Sequence, residues 1–417
     1  MQFLQPNKSK MHAILMIVDG YYPADIRVRK EAESLALKHN VFVLCCRKEN
    51  DQKVEIIKNV TVLREIFYKS FTEKGLIDMR LAINFVHPKF HKILPEMINK
   101  NNIDVIHVHD LPLAKTGFFA AKKYHLKSVL DLHENYAAAL LTWFSWRKNP
   151  VIRLKNKIFF NHKRWQDYEN RIIKKYDRII AVVEEMKDRI VTDTAIDESK
   201  ITVITNSEKK DFVANFDATE NSFFKDHKDQ FIISYVGGFG PHRGLQTAIE
   251  GMKDVSKQIP NALLALIGPA NNDVKSYLEN LIDEFNVREN VVIYGSQPFK
   301  KVVKIMQSSD VNIIPHISNL HTESTIPHKL FQILLSKKPL LVSNCAPLER
   351  VVKSNDIGTI FKAGQAESFS KEIIKVYNNY ETAMQKAANG FELAYNGDLN
   401  WEFTEKKLLH LYENLES

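Results

Sequence analysis

The stretch that decides the fold reads Thr322-Glu-Ser-Thr-Ile-Pro-His-Lys-Leu-Phe-Gln-Ile-Leu-Leu-Ser-Lys-Lys-Pro-Leu-Leu-Val-Ser-Asn344. An apolar, β-branched run precedes it at residues 310–316, and a second apolar run, Leu340–Ser343, closes it. The part between them begins as a polar loop and continues as an amphipathic helix, and Pro327 suits the first turn of that helix. Strand, helix and strand in this order predict one repeat of a parallel α/β sheet.

The start of this helix has two interpretations. Thr325 or Ser324 would supply the oxygen that caps an ordinary helix of a βαβ unit. His328 and Lys329 instead add positive charge where the free N–H groups of a helix already attract anions. These residues alone do not decide between a structural cap and an anion-binding site.

Size and composition predict a folded protein of two domains. The 417 residues suit two domains of roughly 200 residues each, and 44% hydrophobic with 26% charged residues is an ordinary soluble balance. A formal net charge of +8 favours an anionic partner, with nucleic acid, anionic lipid and a phosphorylated small molecule all open. Cys45 and Cys46 lie in a strand-like run and are expected to be buried thiols, which favours a reducing cytoplasm.

No segment is apolar for long enough to predict a transmembrane helix. The N-terminal run at residues 12–18 is too short for a signal sequence and predicts a first strand. We therefore expect a cytoplasmic protein whose contact with a membrane, if there is one, is peripheral.

Short β-branched runs alternate with amphipathic segments along the chain, which is typical of parallel α/β domains. In the first half, strands are predicted at residues 13–18, 41–46, 60–63, 105–109, 128–132, 178–183 and 201–204. In the second half they are predicted at 231–236, 263–267, 291–294, 311–315, 340–343 and 359–361. Helices are predicted at, among others, 27–37, 79–99, 113–124 and 401–414. The alternation fails after residue 207, so we predict Rossmann-like domains at 1–210 and 230–399, joined by a linker at 211–229.

A glycine-rich turn opens the second domain, in the run Tyr235-Val-Gly-Gly-Phe-Gly-Pro-His-Arg-Gly244. Gly237 and Gly238 permit close backbone approach, and Arg243 offers a forked donor suited to phosphate. The turn is neither a dinucleotide-binding fingerprint nor a P-loop, because the required spacings are absent. A glycine turn between strand and helix is also common without a ligand, but the adjoining His242-Arg243 pair favours anion binding.

Polar residues follow several predicted strands of the first domain, where open parallel sheets bind their ligands. They are Asp19, Gly20, His109, Asp110, His133 and Glu134. Arg27 begins the first helix, where a cation opposes the helix dipole, which suggests function more than stability. The default alternative is a solvated helix face. His107 and His109 lie on one face of their strand, but no third ligand has suitable spacing, so we predict no metal site.

The segment 143–176 is basic and amphipathic. Between residues 147 and 178 there are eleven Lys or Arg and three acidic residues, with apolar side chains at helical spacing. The apolar face either packs on the core of its own domain or docks on anionic lipid headgroups. No nucleic-acid partner is expected, because no reading helix or stacking platform is recognisable.

With these motifs in order, the sequence resembles the retaining glycosyltransferases of family 4 along nearly its whole length. The resemblance rests on the runs starting at Tyr22, Val105, Asp131, Val203, Tyr235 and Ile326, and on Trp401-Glu402. It implies the GT-B fold, an α/β fold of two Rossmann-like, doubly wound domains facing across a cleft. It also implies that the helix within 400–417 returns to complete the first domain.

The resemblance implies roles for particular residues. A nucleotide-sugar donor would bind the second domain, with its diphosphate held by Arg243 and by the helix that carries Lys329. His133 would lie beside the transferred sugar as the catalytic residue, and the acceptor would bind near the turns at Asp19 and His109. These cations would stabilise the departing diphosphate, so no metal or other cofactor is expected.

The chain departs from the family around the helix of the opening stretch. The family usually carries two glutamates with seven residues between them, the second of which holds the nucleotide ribose. Here Gln332 stands at the second position and Ser324 at the first, with Glu323 one residue away. Lys337 stands where a glycine is expected. Glutamine can still bond a ribose hydroxyl, without the charge of a carboxylate.

The sequence therefore predicts a retaining glycosyltransferase of hexosyltransferase type. Its partners would be a nucleotide sugar and a glycan or lipid-linked acceptor in surface polysaccharide assembly, with peripheral contact to anionic membrane through 143–176. Two alternatives remain open: a non-catalytic GT-B scaffold subunit, which Gln332 and Lys337 motivate, and a sugar-nucleotide epimerase.

Overall fold

The computed structural model of the protein describes residues 10–144, 149–215 and 223–415. The chain forms two compact units, one at 1–205 with 405–417 and the other at 206–404. Each unit has its own sheet, with helices between consecutive parallel strands, as in a Rossmann-like fold. The predicted fold class, two doubly wound α/β domains, is confirmed at the level of each unit.

The first unit contains an eight-stranded sheet. Its strands are β1 (Ala13–Ile17), β2 (Asn40–Cys46), β3 (Val54–Ile57), β4 (Val60–Glu65), β5 (Val105–His109), β6 (Lys127–Leu132), β7 (Arg178–Ala181) and β8 (Ile201–Val203). They lie in the order β3-β4-β2-β1-β5-β6-β7-β8, parallel except for the β3–β4 pair. The central strands are buried on both faces, which explains their unbroken apolar sequence.

Among the described residues, eight helices belong wholly to this unit. They are α1 (Ile26–Leu35), α2 (Phe71–Asn84), α3 (Pro88–Lys100), α4 (Leu111–Tyr124), α5 (Tyr136–Phe144), α6 (Pro150–Phe159), α7 (His162–Ile173) and α8 (Glu184–Thr194). The single helix predicted at 79–99 is wrong. The chain leaves α2 at Phe85, which has a left-handed φ of 59°, and starts again at Pro88. Proline disfavours a helical conformation at the preceding residue and suits the first turn of a new helix.

The second unit has a six-stranded parallel sheet. Its strands are β9 (Phe231–Val236), β10 (Ala262–Ile267), β11 (Val291–Tyr294), β12 (Val311–Ile314), β13 (Leu340–Ser343) and β14 (Thr359–Phe361), in the order β11-β10-β9-β12-β13-β14. Its helices are α9 (Leu245–Gln258), α10 (Asn272–Glu284), α11 (Phe299–Gln307), α12 (Lys329–Ser336), α13 (Ala346–Asn355), α14 (Ala366–Asn378) and α15 (Tyr380–Tyr395). A last helix, α16 (Trp401–Glu413), passes from the second unit into the first at Glu405.

The segment predicted as a linker contributes to the second unit. Lys210–Asn215 forms a short 3-10 helix that packs against α11 and α12, and Phe212 is buried. Phe224 is buried in the core of the same unit against Ile232. The units therefore divide at residue 205 and not at 210, because apolar side chains of the polar-looking segment find places in a core. Residues 216–222 lie outside the described part.

The opening stretch folds as a strand, loop, helix and strand, but the predicted cap is wrong. α12 begins at Lys329, and its N-cap residue is His328, which makes no side-chain capping bond. Ser324 instead donates to the carbonyl oxygen of Leu320 at 3.2 Å. In the described part of the chain, therefore, no side-chain oxygen accepts a hydrogen bond from the first N–H groups of α12. Within the described residues, no helix is long and apolar enough to cross a bilayer.

Candidate active site

The first unit gathers charged side chains at the carboxyl ends of β5 and β6. Arg27 lies in the first turn of α1, where Asp25 accepts hydrogen bonds from the N–H groups of Arg27 and Val28. The guanidinium reaches Asp131, with Nε 2.9 Å from Oδ2 and Nη2 2.6 Å from Oδ1. Its Nη1 donates to the carbonyl oxygen of Ile204 at 2.9 Å. Because both side chains are buried, this is a bidentate ion pair away from solvent.

His133 is held between two carboxylates. Its Nε2 lies 2.9 Å from Asp131 Oδ2, and its Nδ1 lies 3.3 Å from Asp110 Oδ2. Burial alone would lower the pKa of His133, but Asp110 and then Asp131 outweigh burial and raise that pKa to about 10. His133 is therefore an imidazolium at neutral pH. In that state it can donate a hydrogen bond or stabilise negative charge, but it cannot accept a proton.

Two more histidines and a glutamate line the buried side of this cluster. His109 Nδ1 lies 3.1 Å from Asp131 Oδ2, and His107 Nε2 lies 3.6 Å from Glu31 Oε2. One atom from each of these four residues lies within 4.8 Å of the others. The argument that the histidine pair lacks further ligands is therefore wrong, since Glu31 and Asp131 come from other elements.

The charges of this cluster are already balanced by the protein. Arg27 Nη2 lies 3.0 Å from Glu31 Oε1 as well as 2.6 Å from Asp131. Burial raises the pKa of Glu31 to about 8, so this carboxyl group is largely protonated at neutral pH. A protonated carboxyl group beside a guanidinium is a poor cation ligand. The expectation of no metal site stays a prediction.

Asp19 ends a second hydrogen-bonded chain, just after β1. The Oη of Tyr68 lies 2.7 Å from both carboxylate oxygens of Asp19 and 3.0 Å from His87 Nε2. His87 Nδ1 accepts the N–H of Phe90 at 3.2 Å, and burial lowers the pKa of His87 to about 4. The neutral ring therefore donates from Nε2 to Tyr68, which donates to Asp19. Lys74 Nζ lies 3.7 Å from the same carboxylate.

The second unit places the predicted anion-binding groups around the turn after β9. The Nζ of Lys329 is buried 3.6 Å from the centre of the Tyr235 ring, and no hydrogen-bond partner for it exists among the described residues. A Cβ added at Gly237, whose φ is +144°, would lie 2.6 Å from this Nζ. Burial, and then the charge of Arg243, holds the pKa of Lys329 well below its usual value. The turn and the amine are therefore in direct contact.

Histidines surround Arg243 on the other side of this turn. Arg243 Nη1 lies 3.0 Å from His316 Nε2, and the ring of His242 lies 5.1 Å from that of His321. Neither ring nitrogen of His242 has a hydrogen-bond partner in the described chain. Burial, and then Arg243, lowers the pKa of His242 to about 3. Arg243 and Lys329 form no ion pair with any described residue, so the guanidinium and the amine are both left for a ligand.

Glu323 and Gln332 are both engaged within the second unit. Glu323 Oε2 accepts the N–H of Ala346 at 2.7 Å at the start of α13, and Oε1 accepts from Ser318 Oγ at 2.5 Å. Gln332 Nε2 donates to Glu208 Oε2 at 2.9 Å. Glu323 thus acts as a helix cap in this structure, whereas Gln332 is tied to a carboxylate.

Two family sequence models match the chain. The model described as Glycosyltransferase Family 4 matches residues 27–207, and the model described as Glycosyl transferases group 1 matches residues 217–392. The chain belongs to glycosyltransferase family 4. The predicted family and the prediction that the protein is a glycosyltransferase are therefore confirmed.

Relatives of this glycosyltransferase match it over all or part of its length. An uncharacterized glycosyltransferase of Methanocaldococcus jannaschii is 22% identical over 403 residues, covering 95% of this chain and 96% of that protein. The capsular polysaccharide biosynthesis glycosyltransferase CapM of Staphylococcus aureus is 23% identical over 242 residues, covering 54% of this chain and 60% of CapM. The solved structure of Anabaena HepE in complex with UDP-glucose has a TM-score of 0.69 at 12% identity, covering 95% of this chain and 98% of HepE. This similarity confirms the GT-B fold.

The basic segment of the glycosyltransferase divides into two helices with different surroundings. Residues 145–148 lie outside the described part of the chain. α7 buries its apolar side, including Trp165 and Ile172, so this half packs on its own core. α6 has no acidic residue, and its outer apolar side chains are exposed. They are Val151, Leu154 and Ile158, at 74%, 61% and 55% exposure.

Several residues of the site escaped the sequence reasoning. Tyr68, His87 and Glu208 lie on loops or at a helix start. No sequence motif marks them as site residues. Gly20 and Glu134 lie at the predicted strand ends, where the carbonyl oxygen of Gly20 accepts the N–H of Cys46 at 2.8 Å. The strand-end rule finds groups on the parallel strands and cannot find partners brought by other elements.

Proposed function

We propose that this glycosyltransferase moves a sugar from a nucleotide-sugar donor to a glycan or lipid-linked acceptor of surface polysaccharide assembly, with retention of anomeric configuration. The observation that carries the proposal is the buried, unpaired Nζ of Lys329 beside Gly237 and Arg243. Such a group is costly unless a ligand pairs with it. The similarity of HepE, which binds UDP-glucose, and of CapM, named for capsular polysaccharide, supports the donor and the product class.

The donor diphosphate would lie against the turn after β9. Arg243 would bind it through two N–H groups, and Lys329 would regain its proton in the field of the phosphates. Both cations would then stabilise the negative charge that develops on the leaving diphosphate. We infer that these side chains perform the charge stabilisation without a metal ion.

His133 would contribute as a cation at the reaction centre. Its Nε2 lies 2.9 Å from both Asp131 Oδ2 and His109 Nδ1, whereas its Nδ1 lies 3.3 Å from Asp110 Oδ2. Because the Nδ1 contact is the longer, Nδ1 is the group that a sugar hydroxyl would take over. Arg27 and His109 would hold Asp131, which in turn orients His133. The acceptor would bind near Asp19, Gly20, Asp110 and Glu134.

Donor binding and turnover of the purified protein test this proposal. We expect one nucleotide sugar from a UDP-, GDP-, ADP- and CDP-sugar panel to bind by calorimetry and to be turned over. An Arg243→Ala, Lys329→Ala double variant should lose donor affinity by about 100-fold or more, as expected for two charge-assisted contacts. The control is Lys257→Ala with Arg288→Ala, which removes two exposed cations of the same unit.

Three results would contradict the proposal. Unchanged turnover in the double variant would exclude Arg243 and Lys329 as diphosphate-binding groups. Inversion of the anomeric configuration, read by NMR of the first product, would exclude retention. Conversion of the nucleotide sugar without any acceptor would indicate an epimerase.

We also propose that the protein is cytoplasmic and touches anionic membrane through α6. The exposed side of α6 combines Val151, Leu154 and Ile158 with Arg153 and Lys157, as in helices that lie at a bilayer surface. The neighbouring helix α2 packs against α6 and carries a further exposed apolar side chain, Phe71, at 94% exposure.

Flotation with liposomes tests the membrane proposal. The wild-type chain should float with vesicles rich in anionic lipid and not with neutral vesicles. A Val151→Ser, Leu154→Ser, Ile158→Ser variant should stay at the bottom of the gradient. Leu37→Ser with Ile56→Ser, two exposed apolar side chains elsewhere in the first unit, should float like the wild type. Equal recovery of all proteins would contradict the proposal.

A further inference from the structure

A buried carboxylate connects the start of the second unit to α12. Glu208 is 5% exposed, and its Oε2 lies 2.9 Å from Gln332 Nε2 and 3.2 Å from His328 Nε2. Its Oε1 accepts the N–H of Lys209 at 2.8 Å. The backbone is fixed as well, since the carbonyl oxygen of Glu208 accepts the N–H of Trp401 at 2.9 Å. The carboxylate is therefore held in one position, with three hydrogen-bond donors around it.

These contacts determine which way the Gln332 amide points. Gln332 Nε2 also lies 3.3 Å from His328 Nδ1. If His328 donates from Nε2 to Glu208, its Nδ1 is an acceptor, and the two N–H groups of Gln332 go to Glu208 and His328. The reverse orientation would place the amide oxygen against the carboxylate of Glu208, which is repulsive. Gln332 Oε1 therefore points away from Glu208 as a hydrogen-bond acceptor, and no described residue donates to it.

Gln332 belongs to the same helix as Lys329, which we propose holds the donor diphosphate. Gln332 lies one helical turn after Lys329, whose Nζ touches the glycine turn at Gly237. We propose that Glu208 is a positioning residue of the donor site, which holds Gln332 so that Oε1 accepts a hydroxyl of the nucleotide ribose. The inference rests on the proposed function, because it takes α12 as the donor-binding helix.

The Glu208 charge also makes Gln332 a stronger acceptor. A carboxylate bound to the amide N–H group polarises the amide and increases the negative charge on its oxygen. The family resemblance expects a carboxylate at position 332 itself. In this chain the carboxylate lies outside the helix, and the amide passes its effect to the ligand. Gln332 and Glu208 therefore act together: Gln332 supplies the oxygen that accepts the ribose hydroxyl, and Glu208 orients and polarises the amide.

A comparison of ribose and dideoxyribose ligands separates this role from a structural one. UDP, GDP, ADP and CDP are titrated calorimetrically into the wild-type protein, and the tightest binder is compared with its 2′,3′-dideoxy form. The wild type should prefer the ribose form by roughly tenfold or more, since the hydroxyl meets a charge-assisted acceptor. In Glu208→Gln the preference should fall to about threefold or less, because the amide is no longer oriented.

Exchanging the two side chains provides the strongest variant. Gln332→Glu alone places two carboxylates side by side and should weaken ribose binding. Combined with Glu208→Gln, it puts the carboxylate on α12 with an amide as its donor, and the ribose preference should return to within about twofold of the wild type. Glu402→Gln is the control, because Glu402 caps the N–H of Lys210 in the same region and should leave the preference unchanged.

The outcomes distinguish a positioning role of Glu208 from a purely structural one. A Glu208→Gln protein that binds both ligand forms more weakly, with an unchanged ratio, would show a purely structural tie and overturn the proposal. If Glu208→Gln does not fold, Gln332→Ala replaces it, and a retained ribose preference there overturns the proposal equally. Binding of none of the four nucleotides by the wild type would overturn the proposed function, and this inference with it.

Discussion

Replacing His133 by glutamine should remove a pH dependence of stability that the wild-type protein shows between about pH 7.5 and pH 9. In the folded protein Asp110 and Asp131 raise the pKa of His133 from 6.5 to about 10. A raised pKa means that the folded chain holds one proton more than the unfolded chain between these values. This contribution to stability is complete below about pH 6.5 and is lost as the pH rises towards 10.

The size of the effect follows from the proton count. One extra proton in the folded state corresponds to a loss of about 1.4 kcal/mol per pH unit, or about 2 kcal/mol across this window. Glutamine keeps a donor towards Asp131 but carries no titrating proton, so the variant is less stable at pH 7.5 and lacks this slope. Burial raises the pKa of Glu31 to about 8 and of Cys45 to about 11, and both groups remain in the variant.

Urea denaturation at about pH 7.5, 8.3 and 9 measures the free energy of unfolding of the wild type and of His133→Gln. Hydrogen exchange of the β6 amides assigns the loss to the first unit. His91→Gln, which changes an exposed histidine of α3, is the control and should follow the wild type. Parallel loss of stability in the wild type and in His133→Gln would refute the imidazolium at this site.

Three further predictions concern the second unit. Lys337 ends α12 with a left-handed φ of 56°, so Lys337→Gly should raise the free energy of unfolding by about 0.5–1 kcal/mol, measured in urea. Gly244→Ala should not fold stably, because the φ of Gly244 is +70° and a Cβ there would lie 1.7 Å from a backbone oxygen. A Cβ at Gly238 meets no atom within 4 Å, so Gly238→Ala should melt like the wild type in thermal denaturation. Donor binding should take up protons, because a bound phosphate raises the low pKa values of Lys329 and His242. Donor affinity should therefore fall as the pH rises. Calorimetry in buffers of different ionisation enthalpy counts the protons taken up.

The residues at the strand ends could be predicted because their placement depends only on where the strands lie and on their parallel order. Once the strands are located, the parallel order places the residues after them at one edge of the sheet, which brings Asp110 and His133 together. Their partners could not be predicted in this way. Arg27 reaches Asp131 from a helix, and Tyr68 reaches Asp19 from a loop, and such contacts depend on how side chains of distant elements meet.

Two misses had signals in the sequence. Pro88 marks the break between α2 and α3, because proline rarely continues a helix from the preceding residue. The β3–β4 hairpin turns at Lys58 and Asn59, which both have positive φ, and an asparagine between two β-branched runs favours such a turn. The cap of α12 had no such signal, since Ser324 suits both a cap and the loop contact that it makes.

The charges of the two units point to different roles. In the first unit Arg27 and His133 face Asp131 and Asp110, so cations and anions are paired inside the protein. In the second unit Lys329 has no partner among the described residues, and its neutral amine is the form that burial favours. A phosphate ligand would supply the negative charge that Lys329 lacks as a partner. Because the free protein has already desolvated this amine, that cost is not added when the ligand binds. The paired charges can orient a reacting group, and the unpaired ones can hold an anion. Among the described residues no side chain caps the start of the helix of the opening stretch, which supports our proposal that this helix binds an anion.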